Sequence, residues 1–236
     1  GTLHQINRGR LGLHFLRNLS HFTGQNLWFY AVAFIPFAQL AAFEFTTPLW
    51  VAVLAPFFLS ERLTKIRLLA AAVGFMGILL VAKPGSMTVG AGTIAAALCA
   101  VGFAGAYIYT KLLARTESTT CILFWLTVIQ AILGTVFVAY DGDITLPSAS
   151  TWPGVIVVGL AGLLAHFCIT SALQFAPAVI VSPMDFIRLP IMAFIGMMFY
   201  NEALDTWVIL GALLVFAGNF MNIYNEHRLS KKNGAV

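Results

Sequence analysis

The sequence predicts an all-α fold, a polytopic membrane helix bundle whose eight transmembrane helices belong to an inverted 5+5 repeat. Three observations lead there: scarcity of charge, the spacing of apolar runs, and a self-match at one constant offset. Of 236 residues, 60% are apolar and only 9% are Asp, Glu, Lys or Arg, against about 25% charged in a typical soluble globule. So few charges cannot cover a core in water, whereas a bilayer needs no such cover once helices satisfy the backbone. The bilayer is therefore the expected surrounding.

Apolar runs of the length needed to cross roughly 30 Å of hydrocarbon, about 17 to 25 residues, fall at 19–36, 38–59, 66–82, 92–113, 119–140, 153–174, 178–200 and 206–224. The first opens on polar Ser20, His21, Thr23, Gln25 and Asn26. Helix-ending punctuation separates the runs, including Pro36, Ser60-Glu61-Arg62, Lys83-Pro84-Gly85 and Ala176-Pro177. Counting loops alternately puts Arg8, Arg10, Arg17, Arg62, Lys65, Arg67, Lys111, Arg115, Arg228, Lys231 and Lys232 on one side, eleven of the thirteen basic residues. Cytoplasmic loops retain Lys and Arg, so both termini are expected in the cytoplasm of a multi-pass inner-membrane protein.

The net charge of +4 does not indicate nucleic acid, because the cations sit in short loops rather than on one basic face with stacking aromatics. Cys99, Cys121 and Cys168 lie in apolar segments without CxxC or Cys/His spacing, so no metal site and no cofactor is expected. No cleavable signal peptide is visible, and the chain opens at Gly1 in mid-loop.

Sliding the sequence by 141 positions pairs Phe34 with Phe175, Pro36 with Pro177, Glu44 with Asp185, Phe45 with Phe186, Glu61 with Glu202, Leu63 with Leu204, Ala71 with Ala212 and Gly77 with Gly218. Moving from one copy to the next passes five crossings, an odd number, which turns the second copy upside down. Such inverted repeats place solute sites at mid-membrane between the copies. The expected organisation is an incomplete first repeat of three helices over 1–84 and a second repeat of five helices over 85–236, ending in a cytoplasmic tail. Two further helices would lie upstream, making ten.

The turns FFLSERLT and MFYNEALD, and the helices GFMGILLVAKPG and VFAGNFMNIY, resemble the drug/metabolite transporter superfamily, specifically its EamA-type members. The resemblance implies a secondary transporter for small metabolites, often an exporter of amino acids or related compounds, and not an enzyme. Its partners would be the lipid bilayer and a small polar or amphipathic solute, with protons as a candidate coupling ion and a homodimer left open. Two alternatives stand beside it: a non-transporting membrane scaffold or receptor, and a membrane-embedded lipid-modifying enzyme. The second would need clustered acids or histidines at a membrane edge, and the loops offer only Asp141 and Asp143.

An ionised side chain within a span costs about 2.5 to 3.5 kcal/mol on insertion scales and marks functional interiors. Glu44, Asp185 and Arg188 are the three here, the last two spaced i, i+3 on one face. They are the first candidates for a substrate cavity, against the alternative of an ion pair that only satisfies itself. His166, inside an apolar run, is a candidate for a proton-linked role or a plain helix contact. Asn26, Tyr30, Trp50 and Tyr107 are candidate cavity-lining residues. Pro48 and Pro190 are candidate hinges or kinks near the middles of two repeat-related helices. Glu61 and Glu202 read as structural turn residues that cap or lock helix ends.

Overall fold

A computed structural model describes residues 2–35, 37–61, 64–82, 90–140, 142, 146–188, 191, 194, 198 and 206–232. These are helical with connecting turns, and no strand occurs among them. After a 3₁₀ turn at Thr2–Gln5 come α1 (Leu11–Val32), α2 (Phe37–Glu44), α3 (Thr47–Phe58), α4 (Lys65–Ala82), α5 (Ala91–Ala114), α6 (Thr119–Val138), α7 (Trp152–Phe175), α8 (Ala178–Met184) and α9 (Thr206–Lys232). A 3₁₀ turn, Asp185–Ile187, continues α8.

By length and apolarity α5, α6 and α7 each suffice to cross a membrane, with mean hydropathies of 1.8, 2.3 and 2.1. At a rise of about 1.5 Å per residue, the 24 residues of α7 span the roughly 30 Å of hydrocarbon. Val155, Val157, Leu160 and Leu164 are exposed around α7, as a lipid-facing helix requires.

Two expected runs are divided differently. The run predicted at 19–36 begins at Leu11, because the polar residues preceding it are drawn into the bundle. The run at 38–59 is two helices interrupted at Phe45 and Thr46. Pro48 therefore stands at the start of α3 rather than mid-helix, a place where its missing N–H needs no partner. Pro190 lies outside the described residues.

The centre is α5, which touches α1, α2, α3, α6, α7 and α8. Small side chains make this possible: Ala95, Ala96, Cys99, Ala100 and Ala104 are all buried along it. Gly102 and Gly24 let α5 and α1 meet backbone to backbone, since a Cβ on Gly102 would stand 2.8 Å from the Gly24 Cα. The same device joins α4 and α9, where a Cβ on Gly218 would lie 2.6 Å from the Ala70 carbonyl oxygen. Helix starts recur at one offset: Leu11 and Trp152, Phe37 and Ala178, and Lys65 and Thr206 are each 141 residues apart.

Towards one end of the bundle α3, α5, α7 and α8 meet through apolar side chains. Val51, Ala55, Leu59, Ile108, Leu173, Ala178 and Val179 form a buried apolar layer. Beyond it Lys111 Nζ donates to the carbonyl oxygens of Leu173 and Ala176 at 2.6 and 2.8 Å, and Arg115 Nη2 donates to that of Leu59 at 2.5 Å. The cations thus sit on the carboxyl ends of α7 and α3, where the helix dipole favours positive charge.

Candidate functional site

The interruption between α2 and α3 is self-contained. The Thr46 and Thr47 hydroxyls donate to the carbonyl oxygens of Phe43 (2.7 Å) and Glu44 (2.6 Å), so carbonyls freed at the helix end are paired. This fixes Glu44 at the end of α2 with its carboxylate directed into the bundle. The Trp28 indole N–H from α1 donates to Glu44 Oε2 at 2.8 Å, and Arg188 Nη2 donates to Glu44 Oε1 at 2.5 Å.

Arg188 follows the 3₁₀ turn after α8. Its Nε stands 3.9 Å from Asp185 Oδ1, while Asp185 Oδ2 accepts from the Tyr107 hydroxyl of α5 at 2.7 Å. The guanidinium also lies 5.3 Å from the centroid of the Phe45 ring, in cation–π position. Phe45 meets Phe186 edge to face at 5.9 Å. Four of the sequence-predicted residues, Glu44, Tyr107, Asp185 and Arg188, are thus brought into one network. Two carboxylates share one guanidinium, and 46% of the Arg188 side chain stays accessible. With both carboxylates ionised the group carries a net negative charge with hydrogen-bonding capacity to spare.

This network forms part of the wall of a cavity of about 250 Å³ that Pro48, Ala106, Ile169 and His166 also line. Thr47 and a second polar cluster, on α1, α5 and α7, complete its polar wall. Arg17 is only 2% accessible, so it is no loop cation as the charge tally supposed but an interior residue of α1. Its Nε donates to Thr110 Oγ1 (3.2 Å), its Nη1 to Asn18 Oδ1 (3.1 Å), and its Nη2 lies 3.2 Å from His166 Nδ1. His166 Nε2 in turn lies 3.2 Å from His21 Nε2. Because arginine only donates, His166 Nδ1 must accept, which puts the ring proton on Nε2 and makes His21 Nε2 the next acceptor.

Sequence reasoning passed over Arg17 and His21. The signal was present: His14, Arg17, Asn18, His21 and Gln25 recur at helical spacing and form one polar stripe on α1.

Asn26, Tyr30 and Trp50 stand apart from the network. Asn26 donates from Nδ2 to the Phe22 carbonyl oxygen of its own helix (2.8 Å) and lines a second cavity between α1, α6 and α7, which shares only His21 and His166 with the first. Tyr30 is exposed against Phe34, ring centroids 4.6 Å apart. Trp50 faces an apolar recess with Phe43, Leu49, Val53 and Phe75. Glu61 accepts from the first backbone N–H groups of α8, Ala178 at 3.1 Å and Val179 at 3.3 Å. Glu202 lies outside the described residues.

The EamA-like transporter family model matches residues 3–83 and 90–224. The chain belongs to the EamA-like transporter family. Among its relatives, a riboflavin transporter of Brucella anthropi is 32% identical over 219 residues, covering 89% of this chain and 77% of its own length. An S-adenosylmethionine uptake transporter of Rickettsia bellii is 27% identical over 228 residues, covering 96% and 78%. A pseudopaline exporter of Pseudomonas aeruginosa is 26% identical over 189 residues, covering 80% and 66%. A solved protein structure shares the fold with a TM-score of 0.76 at 17% identity, covering 92% of this chain and 78% of its own. The EamA-like chain is thus a membrane transporter, not an enzyme.

Proposed function

We propose that this EamA-like protein is a secondary transporter of a small polar or amphipathic metabolite across the inner membrane, and that the cavity bounded by Glu44, Tyr107, Asp185 and Arg188 is its solute site. The observation that carries the reading is the network itself, in which α1, α2, α5 and the turn after α8 each contribute a polar side chain to one mid-bundle point. A buried ion pair retained only for stability is replaceable by apolar packing, whereas an accessible guanidinium beside two acids suits a zwitterionic solute such as an amino acid.

The recurrence of helix starts at 141 residues supports two copies of one unit in opposite senses, with the solute site between them. Ten basic residues remain on one side once Arg17 is removed from the tally, which favours cytoplasmic termini. The sequence has no G-x-x-x-x-G-K-[ST] loop, so the driving force is an ion or solute gradient, protons being the first to test. Relatives bear the names of an uptake transporter and of an exporter, so transport is to be measured in both directions.

The test is uptake and efflux of amino acids, nucleosides and vitamins by cells expressing the gene. Arg188→Ala and Glu44→Gln should each reduce transport at least about tenfold at unchanged membrane yield. Undiminished transport by both variants removes the network from the solute path.

A further inference from the structure

Arg17 is a cation without a counter-ion. Its three polar contacts, Thr110, Asn18 and His166, are all uncharged acceptors, and no carboxylate pairs with it among the described residues. A buried charge left this way is costly unless something of opposite sign reaches it. A guanidinium offers five N–H donors, and three are engaged, so Nη1 and Nη2 each keep one. Those nitrogens belong to a residue that lines the cavity.

The acceptors are themselves held in place. Thr110 donates its hydroxyl proton to the Ala106 carbonyl oxygen at 2.6 Å, which turns an oxygen lone pair towards Arg17. Asn18 Nδ2 donates to the His14 carbonyl oxygen at 2.8 Å, which orients its Oδ1 the same way. The guanidinium is therefore preorganised before any ligand arrives, and two of its donors are held in reserve.

Thr110, which holds Arg17, and Tyr107, which holds Asp185, are one turn apart on the same face of α5, a rise of about 4.5 Å along the helix. An arginine with no carboxylate partner and two carboxylates that share one arginine thus line the same cavity.

We propose that Arg17 is the docking point for an anionic group of the transported solute, a carboxylate or a phosphate, and that the solute's amino or other donor group meets Glu44 and Asp185. The proposal rests on the cavity being the solute site and adds its polarity: the anionic group lies towards α1 and α7, the donor group towards α2 and α8. It narrows the substrate class to small zwitterions and anions.

Thermal unfolding of the purified chain tests the subsite directly, with acetate and inorganic phosphate as probes against chloride at fixed ionic strength. One or both probes should raise the wild-type midpoint by several degrees, and which does so separates carboxylate from phosphate. Arg17→Gln should abolish the shift and Arg17→Lys should retain part of it, because the charge survives without the fork. If Arg17→Gln does not fold, the wild-type shifts and those of Arg17→Lys decide alone. No shift with either probe, or an equal shift in Arg17→Gln, overturns the proposal.

Transport separates this failure from that of the underlying reading. For a transported amino acid, the carboxamide analogue should be carried at least about tenfold less well. If the amide is carried equally well while Arg188→Ala still abolishes transport, the solute site stands and the Arg17 assignment falls. If Arg188→Ala and Glu44→Gln transport normally, the solute-site reading falls first.

Discussion

Replacing Glu61 by alanine should loosen the apolar layer where α3 meets α8. Ser60, at φ 57°, adopts the left-handed conformation that ends α3 and turns the chain so that the next residue reaches α8. There the Glu61 carboxylate accepts from Ala178 and Val179 at 3.1 and 3.3 Å. Hydrogen bonds to a charged group contribute about 1.5 to 3 kcal/mol, and loss of a helix N-cap costs about 0.5 to 2. Both bonds are on the long side and the site is partly exposed, so a combined value of about 2 kcal/mol is reasonable. At 1.4 kcal/mol per decade the open population rises about 30-fold.

Leu59, 2% accessible in that apolar layer, is the reporter. In a chain whose three native cysteines are replaced by alanine, Leu59→Cys should react with a water-soluble maleimide about 30-fold faster when Glu61→Ala is added. Glu61→Gln keeps one acceptor but not the charge, and should give an intermediate rate. When reclosing outpaces labelling, the rate follows the open population. Equal rates in all three backgrounds, with an unchanged melting temperature, would show that the cap does not hold this layer together.

Two further outcomes follow from the packing and the network. Gly102→Ala puts a Cβ 2.8 Å from the Gly24 Cα; since backbone cannot swing aside, α1 and α5 must separate at about 1 to 3 kcal/mol, read as a lower melting temperature, with a smaller loss in Gly24→Ala, whose Cβ would meet the Phe103 ring at 3.0 Å. Tyr107→Phe removes the donor at 2.7 Å from Asp185 and should cost about 1 to 2 kcal/mol in stability while impairing transport. Melting and transport measured on the same preparation check both effects.

Charge inside apolar runs made Glu44, Asp185 and Arg188 readable, because bilayer insertion tolerates such residues only for a reason. Their meeting with Tyr107 was not readable, since it depends on how α5 packs against α2 and α8. The helix order was legible in the lengths of the runs, which placed the starts of α7, α8 and α9 within about one residue of Trp152, Ala178 and Thr206. What escaped was orientation about each helix axis. In water the polar face marks the outside, but in lipid both the outer face and the packed face are apolar, so Asn26, Tyr30 and Trp50 gave no sign of where they point. Arg17 and His21 were hidden differently: they lie around the polar start of the run expected at 19–36, where polarity resembles a headgroup-level flank, although their i, i+4 spacing along the α1 stripe carried the information. The break at Phe45 and Thr46 was masked by Pro48, which signals a kink as readily as a helix start.

The 141-residue offset that matches Glu44 with Asp185 also matches Arg188 with Thr47. One acid therefore has an arginine three residues on and the other a threonine, and all four side chains line the same cavity. Its wall is chemically unlike from one end to the other. If the cavity is the proposed solute site, a dipolar cargo finds one favoured orientation in it.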